Sequence, residues 1–138
     1  MARAAGWFAV GVDFSPLAIE SARRKADWTS GATFVEGDVT RLSELGVDGP
    51  FDLLLDIGCF HSVPPGRRHD YVREAARVAR PGARMMIFAF GPWIRIPGMP
   101  RRTREPEIRR RFERDFELDR VLPGEEPKGA AWFSLRRR

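Results

Sequence analysis

The chain has 138 residues, of which 43% are hydrophobic, and this composition suits one packed domain and excludes wholesale disorder. No run approaches the roughly 20 apolar residues that a membrane-spanning helix needs. A single cysteine, Cys59, excludes an internal disulfide and fits the reducing cytoplasm. The net charge is +5, but it is almost all arginine on what reads as a solvated surface, so neither nucleic acid nor a membrane is expected as a partner.

Strand and helix patterns alternate along the first two-thirds of the chain. Ser15-Pro16 is an N-cap serine followed by a proline suited to the first helical position. Phe51–Ile57 is a continuous apolar run typical of a buried parallel strand, and Pro81-Gly82 is predicted to end the second helix. The predicted elements are, in chain order, a strand at Trp7–Val12, a helix at Pro16–Asp27, a strand at Thr33–Val35, a strand at Phe51–Ile57, a helix at Arg67–Ala79 and a strand at Arg84–Phe90.

The last third of the chain is less regular. Gly91–Pro106 is rich in proline, glycine and arginine and predicts a long loop, of the kind that often covers an active site. Thr103 is predicted to cap a short helix over Glu105–Arg114. Phe116–Val121 and Ala131–Leu135 are predicted to form an antiparallel pair that closes the sheet.

This order of elements predicts an α/β fold with a doubly wound, mostly parallel sheet over a single domain, residues 1–138. Such sheets bind ligands outside the carboxyl ends of their strands. Asp13, Asp38 and the run Asp56–His61 all fall at the carboxyl ends of predicted strands. We therefore expect these three stretches to converge on one crevice.

Four motifs then occur in order: Val10-Gly-Val-Asp-Phe-Ser-Pro-Leu-Ala-Ile-Glu20, Phe34-Val-Glu-Gly-Asp38-Val39, Phe51–His61 and Ala76–Ala83. Through them the chain resembles the class I S-adenosylmethionine-dependent methyltransferases, particularly small bacterial enzymes that act on small molecules. The resemblance implies a Rossmann-like three-layer α/β/α fold with an antiparallel C-terminal strand. It also implies S-adenosylmethionine as the cofactor and a small-molecule methyl acceptor.

The resemblance also implies the cofactor contacts. An acid at the position of Asp13 grips the ribose hydroxyls in the family, and one at the position of Asp38 faces the adenine amino group. The residues by themselves leave alternatives open, since Asp13 could help to cap the following helix and Asp38 could be a turn residue. The expected cofactor-binding residues are Asp13, Phe14, Asp38, Val39, Asp56 and Ile57.

The acceptor side is expected in the loop after the predicted strand Phe51–Ile57 and in the long loop Gly91–Pro106. His61 is the candidate general base or substrate ligand, and it could instead be a core or rim residue. Trp93 and its apolar neighbours could line a hydrophobic pocket or seal the core. No metal site is expected. The candidate substrate-contacting residues are Cys59, Phe60, His61 and Trp93.

The chain departs from the family pattern at the glycine-rich loop. Gly58 is followed by Cys59, Phe60 and His61, all with side chains, so this loop lies on the substrate side and is not the glycine loop. The opening residues, Met1–Gly6, resemble the tail of the helix that follows that loop, which makes the chain N-terminally truncated by comparison. We expect poor methyl transfer and a sheet that re-pairs, dimerises through its open edge, or stays loosely folded.

Two functions are alternatives to an active methyltransferase. A short-chain reductase needs a tyrosine followed four residues later by lysine, but Ala75 follows Tyr71, the single tyrosine, at that spacing. The stronger rival is a methyltransferase-like remnant that acts as a non-catalytic binding module.

Overall fold

The structure of the protein is a computed structural model. Its described residues form the helices and strands of a mixed α/β fold. The described residues are 6–26, 31–89, 97, 103–125 and 129–138. They fall into two units that meet in sequence between Val47 and Asp48, and each unit is described by itself. The expectation of one domain stays a prediction. The elements are β1 (Ala9–Asp13), α1 (Pro16–Lys25), β2 (Ala32–Glu36), β3 (Phe51–Ile57), α2 (Arg68–Val78), β4 (Ala79–Ala89), α3 (Glu105–Phe112), β5 (Phe116–Pro123) and β6 (Ala131–Arg137).

The first unit is a β–α–β arrangement in which β1 and β2 pair in parallel, with Asp13 opposite Glu36. Helix α1 begins as the sequence predicts, because the Ser15 hydroxyl accepts a hydrogen bond from the amide of Ala18 and Pro16 occupies the first turn. The helix ends at Lys25, and its last turn carries three basic residues, Arg23, Arg24 and Lys25, which suit the negative end of the helix dipole. A 3-10 helix, Val39–Leu45, follows β2.

The second unit contains a four-stranded sheet in the order β3-β4-β6-β5. Strands β3 and β4 pair in parallel, whereas β6 pairs antiparallel with both β4 and β5. The predicted antiparallel pair at the end of the chain is therefore confirmed, and β6 inserts between β4 and β5.

One face of this sheet carries the hydrophobic core of the second unit. Helices α2 and α3 lie on it, as the hydrogen bond from Arg137 Nε to the carbonyl of Ala76 and the ring contact between Phe112 and Phe116 show. The helical spacing of apolar residues in the sequence predicts one core-facing side for each helix. The structure confirms both, since the following side chains are buried: Tyr71, Val72, Ala75, Ala76, Ile108 and Phe112. The core residues contributed by the sheet are Met85, Ile87, Phe116, Phe133 and Leu135.

The opposite face of the sheet is largely uncovered at β3. Leu53, Leu55 and Ile57 project from it and are 42%, 60% and 66% exposed. Among the residues that the structure describes, β3 pairs only with β4, so it is an edge strand. The prediction of a buried strand was right about its bounds and wrong about its burial, because burial needs a neighbour on each side and a cover on each face.

Two boundaries also differ from the predictions. Helix α2 ends at Val78, and β4 starts at once at Ala79 and runs through Pro81-Gly82. The chain turns extended before the proline because a proline disfavours helical backbone in the preceding residue. Thr103 does not cap α3: the N-cap is Arg104, whose side chain makes no capping hydrogen bond, and Thr103 is buried.

Over the described residues, no helix is long and apolar enough to cross a membrane.

Candidate functional site

Two of the predicted site residues, Asp13 and Asp38, lie at the carboxyl ends of neighbouring parallel strands. Asp13 is the last residue of β1, and Asp38 follows β2 by two residues. The amide of Gly37 donates to the carbonyl of Asp13 at 2.9 Å, which brings the two chain segments together. In an α/β sheet this edge is where ligands bind.

Both carboxylates also have the local structural roles that were left open. Asp13 Oδ1 accepts from the amide of Ser15 at 2.8 Å. Asp38 caps the 3-10 helix, because its Oδ1 accepts from the amide and the hydroxyl of Thr40 at 2.8 and 2.7 Å. These bonds orient the two carboxylates while leaving both residues exposed to solvent. Capping and ligand binding are therefore compatible at each position.

Two apolar side chains accompany the acids. Phe14 follows Asp13 and is 78% exposed, so a large aromatic surface is open to solvent beside the carboxylate. Val39 follows Asp38 and is half-buried. A pair of acids with an aromatic ring and a branched apolar side chain fits a nucleoside, which combines hydroxyl and amino donors with a flat base.

In the second unit, Asp56 organises the loop after β3. Its carboxylate is buried and accepts from the amides of Cys59 and Phe60 at 2.8 and 2.9 Å. It also accepts a hydrogen bond from the hydroxyl of Tyr71. Asp56 therefore fixes the start of the 3-10 turn Phe60–Ser62 from inside the core.

Burial sets the protonation of this group of side chains. Burial raises the pKa of Asp56 above its ordinary value of 3.8, although the donors from Tyr71, Cys59 and Phe60 counteract the rise. Burial, together with the nearby carboxylate, raises the pKa of Tyr71 well above 10.0, so its hydroxyl keeps the proton that it donates. Burial lowers the pKa of His61 below 6.5, a change that Asp56 opposes and Arg68 reinforces.

The turn presents its side chains unequally. His61 is 7% exposed, and Cys59 is half-buried. The ring of Phe60 is 0% exposed and packs against Tyr71 and Phe112 with centroid distances of 5.2 and 5.4 Å. A substrate contact by Phe60 stays a prediction, and it would require the ring to leave this cluster.

Of the remaining predicted site residues, one lies in the described part of the chain and one outside it. Ile57 ends β3 and faces solvent on the uncovered side of the sheet. Trp93 lies outside the described residues. Asp13 and Asp38 belong to the first unit and Asp56–His61 to the second, so the common crevice stays a prediction. The described residues contain no group of three or more His, Cys, Asp or Glu side chains that could hold a metal ion.

Three residues that build this loop were not predicted from the sequence. Tyr71 lies on the apolar face of α2, and its hydroxyl also donates to Asp56. Arg68 and Glu107 form an ion pair with an N–O distance of 2.5 Å, and Arg68 is buried. Nothing local reveals this pair, because its members are 39 residues apart in segments that are rich in charge. The usable signal was an arginine at the start of a helix whose neighbours are core residues.

Comparison with known proteins gives agreement at the levels of family, sequence and fold. Residues 1–82 match the protein family described as a methyltransferase domain. A 2-heptyl-1-hydroxyquinolin-4(1H)-one methyltransferase from Mycobacteroides abscessus is 34% identical over 121 residues, which is 86% of this chain and 53% of that protein. The chain thus spans about half the length of this relative.

Two solved structures have the same fold. One, described under the conversion of a disulfide bond into a thioacetal group during echinomycin biosynthesis, is 25% identical with a TM-score of 0.75, over 97% of this chain and 68% of that one. The other, magnesium protoporphyrin IX methyltransferase from Synechocystis PCC 6803 with bound S-adenosylhomocysteine, is 18% identical with a TM-score of 0.77, over 99% and 66%. The predicted Rossmann-like three-layer fold is confirmed by these similarities.

Proposed function

The chain belongs to the class I S-adenosylmethionine-dependent methyltransferases, and from this premise we propose that it serves S-adenosylmethionine-dependent methyl transfer to a small-molecule acceptor. The observation that carries the proposal is the placement of Asp13 and Asp38 at adjacent strand ends, joined by the hydrogen bond from Gly37 to Asp13. The family relationship supports the activity, and this pair of acids supports a cofactor-binding role for the first unit.

The first unit would hold the adenosine part of the cofactor. Asp13 would accept from the ribose hydroxyls and Asp38 from the adenine amino group, with Phe14 and Val39 against the base. Asp13 and Asp38 are exposed and already oriented by backbone amides, so binding would require little reordering of either side chain. The proposed contacts of Asp56 and Ile57 with the cofactor lie in the second unit and depend on the crevice that is itself a prediction.

The turn after β3 would meet the acceptor. The cofactor supplies a methyl group already activated by a sulfonium, so the protein must mainly align the acceptor atom, exclude water and remove a proton. We assign the proton to His61, whose lowered pKa keeps the imidazole neutral and able to accept it near pH 7. Cys59 would contact the acceptor beside it, and Trp93 is proposed to do so from the long loop.

The acceptor class is supported by the relative from Mycobacteroides abscessus, whose name gives a substituted hydroxyquinolinone as its substrate. A small molecule of this size suits a site built from a few loop side chains. We place the protein in the cytoplasm, because its single cysteine fits a reducing compartment.

A second function stays open for the 138-residue chain, namely a non-catalytic methyltransferase-like binding module. The sequence has no Gly-x-Gly-x-Gly run, and glycines of this kind let backbone amides approach a cofactor closely. Titration calorimetry with S-adenosylmethionine, S-adenosylhomocysteine and adenosine separates the two functions. Binding that is lost in Asp13→Asn but kept in Glu20→Gln, an exposed acid on α1, supports the enzyme. No binding of any of the three compounds favours the module.

We further propose that two copies of the chain associate through the edge of β3. The edge strand offers backbone donors and acceptors, and the side chains on its uncovered face, Leu53, Leu55 and Ile57, are apolar and exposed. Asp52, which is also exposed, is paired with Arg80. In an antiparallel pair centred on Leu53, Phe51 would lie opposite Leu55 of the other copy, and Asp52 opposite Leu54. Apolar side chains then meet across the two-fold axis without opposed carboxylates.

A further inference from the structure

Arg68 lies at the start of α2 and is buried, with 3% of the residue exposed. Its Nε donates to the carbonyl of Val63 at 3.0 Å, and its Nη2 donates to the carbonyl of His61 at 3.0 Å. Both carbonyls belong to the turn after β3, which we name the acceptor turn, Cys59–Val63. One side chain therefore fixes the backbone of this turn at two points.

The third nitrogen of the Arg68 guanidinium bonds to a residue outside the acceptor turn. Nη1 binds Glu107 on α3, which also accepts from Arg111 Nε at 2.9 Å. Burial alone would raise the pKa of Glu107, but the hydrogen bonds and charges of Arg68 and Arg111 outweigh it and lower that pKa. The carboxylate therefore stays ionised and holds the guanidinium between α3 and the acceptor turn.

Stability alone does not account for this arrangement. A buried ion pair is commonly no more stable than two well-packed apolar side chains in its place, because both ions must leave water. What the ions supply in addition is direction: a planar guanidinium donates along fixed lines to two carbonyls and one carboxylate. The ring of Phe60 lies 4.9 Å from the guanidinium carbon and supports it from one side.

We propose that Arg68 and Glu107 are positioning residues, which hold the acceptor turn in the orientation that its side chains need to meet the methyl acceptor. Neither residue touches the substrate; both act through the backbone at His61 and Val63. This inference rests on the proposed function, which gives the turn its role.

The test uses Cys59, the single cysteine of the chain, as a reporter within the turn. The alkylation rate of Cys59 by iodoacetamide is measured in the folded protein for Arg68→Met, Arg68→Lys and Glu107→Gln. Arg80→Met, which breaks the exposed pair with Asp52, is the matched control. We expect Arg68→Met to speed alkylation about tenfold through local opening of the turn, Arg68→Lys and Glu107→Gln to do so less, and Arg80→Met to leave it unchanged.

The pKa of His61, followed by NMR, separates positioning from general loosening. Asp56 and Arg68 are the charged groups that act on this imidazole. Removing the positive charge in Arg68→Met raises the pKa, whereas Glu107→Gln lowers it, because the charge of Arg68 is then less compensated. Alkylation detects rare openings of the turn, whereas the pKa reflects its average structure. Loosening of the average structure would expose His61 to water and raise the pKa in both variants, and that result would overturn the proposal.

If Arg68→Met does not fold, a double variant replaces it in the test. Arg68→Met combined with Glu107→Leu places two apolar side chains in the core. We expect this variant to fold and its Cys59 to be alkylated faster than in the original protein. If it folds and Cys59 is as slow as in the original protein, Arg68 only fills space and the proposal fails. None of these measurements needs cofactor or acceptor. The affinity for S-adenosylmethionine should be the same in every variant as in the original protein. If none of these proteins binds S-adenosylmethionine, that result counts against the proposed function and not against this inference.

Discussion

At the residue scale, the buried hydrogen bond between Tyr71 and Asp56 gives a sharp prediction. Tyr71→Phe removes the hydroxyl and leaves the buried carboxylate one donor short. A hydrogen bond to a charged group contributes about 1.5–3 kcal/mol, so the free energy of unfolding should fall by about that amount. Urea denaturation followed by circular dichroism measures it. Ser62→Ala, which loses an exposed hydroxyl bonded to the carbonyl of Gly58, is the control and should change stability by less than about 0.5 kcal/mol.

The histidines give a second prediction at this scale. The pKa of His61 is lowered by burial, so the unfolded chain binds more protons than the folded one between that pKa and 6.5. Stability from His61 is therefore complete above pH 6.5 and is lost as the pH falls through the folded pKa, with a slope of at most about 1.4 kcal/mol per pH unit. His61→Gln should flatten the fall in unfolding free energy across this range. His69→Gln, at an exposed position, should not; equal slopes in all three proteins would contradict the prediction.

At the element scale, local patterns predicted where elements lie better than what surrounds them. The bounds of β3 were predicted residue for residue, because an unbroken apolar run followed by Gly58 is a local signal. Its exposure could not be predicted, since it depends on which strands and helices lie beside it. The bond from Tyr71 to Asp56 joins α2 to β3 across 15 residues, and the periodicity of α2 is the same with or without it. The positions of Asp13 and Asp38 at strand ends could be predicted, because strand ends are visible in the sequence.

The uncovered edge strand gives a prediction about association. Leu55→Lys with Ile57→Lys places two charges on the exposed apolar face of β3. Because both positions face solvent, the unfolding free energy should change by less than about 0.5 kcal/mol each, while self-association weakens through charge repulsion across the two-fold axis. Sedimentation velocity over a range of concentrations measures the change. Leu17→Lys, an exposed leucine on α1, is the control. A protein that is monomeric at every concentration would rule out the proposed pairing.

At the scale of the whole molecule, the two units contribute different parts of the proposed activity, and their contributions can be measured separately. Asp13, Asp38 and Val39 are present in the first unit, so recognition of adenosine should survive in the 138-residue chain. The charged amine and carboxylate of the methionine part need backbone groups that a glycine loop provides, and the sequence has no Gly-x-Gly-x-Gly run. S-adenosylmethionine should therefore bind this chain weakly, and little better than adenosine.

The expected weakening of S-adenosylmethionine binding can be calculated from the hydrogen bonds that its methionine part would lack. Each hydrogen bond to a charged group is worth about 1.5–3 kcal/mol, and about 1.4 kcal/mol is a factor of ten in affinity, so two missing bonds weaken binding by about a hundredfold or more. Titration calorimetry should give a dissociation constant for S-adenosylmethionine well above micromolar. Fusing a strand and a Gly-x-Gly-x-Gly loop ahead of β1 should tighten binding and give a monomer, because a strand that pairs with the edge of β3 blocks association there. Micromolar or tighter binding by the unextended chain would show that its own residues suffice for the methionine part.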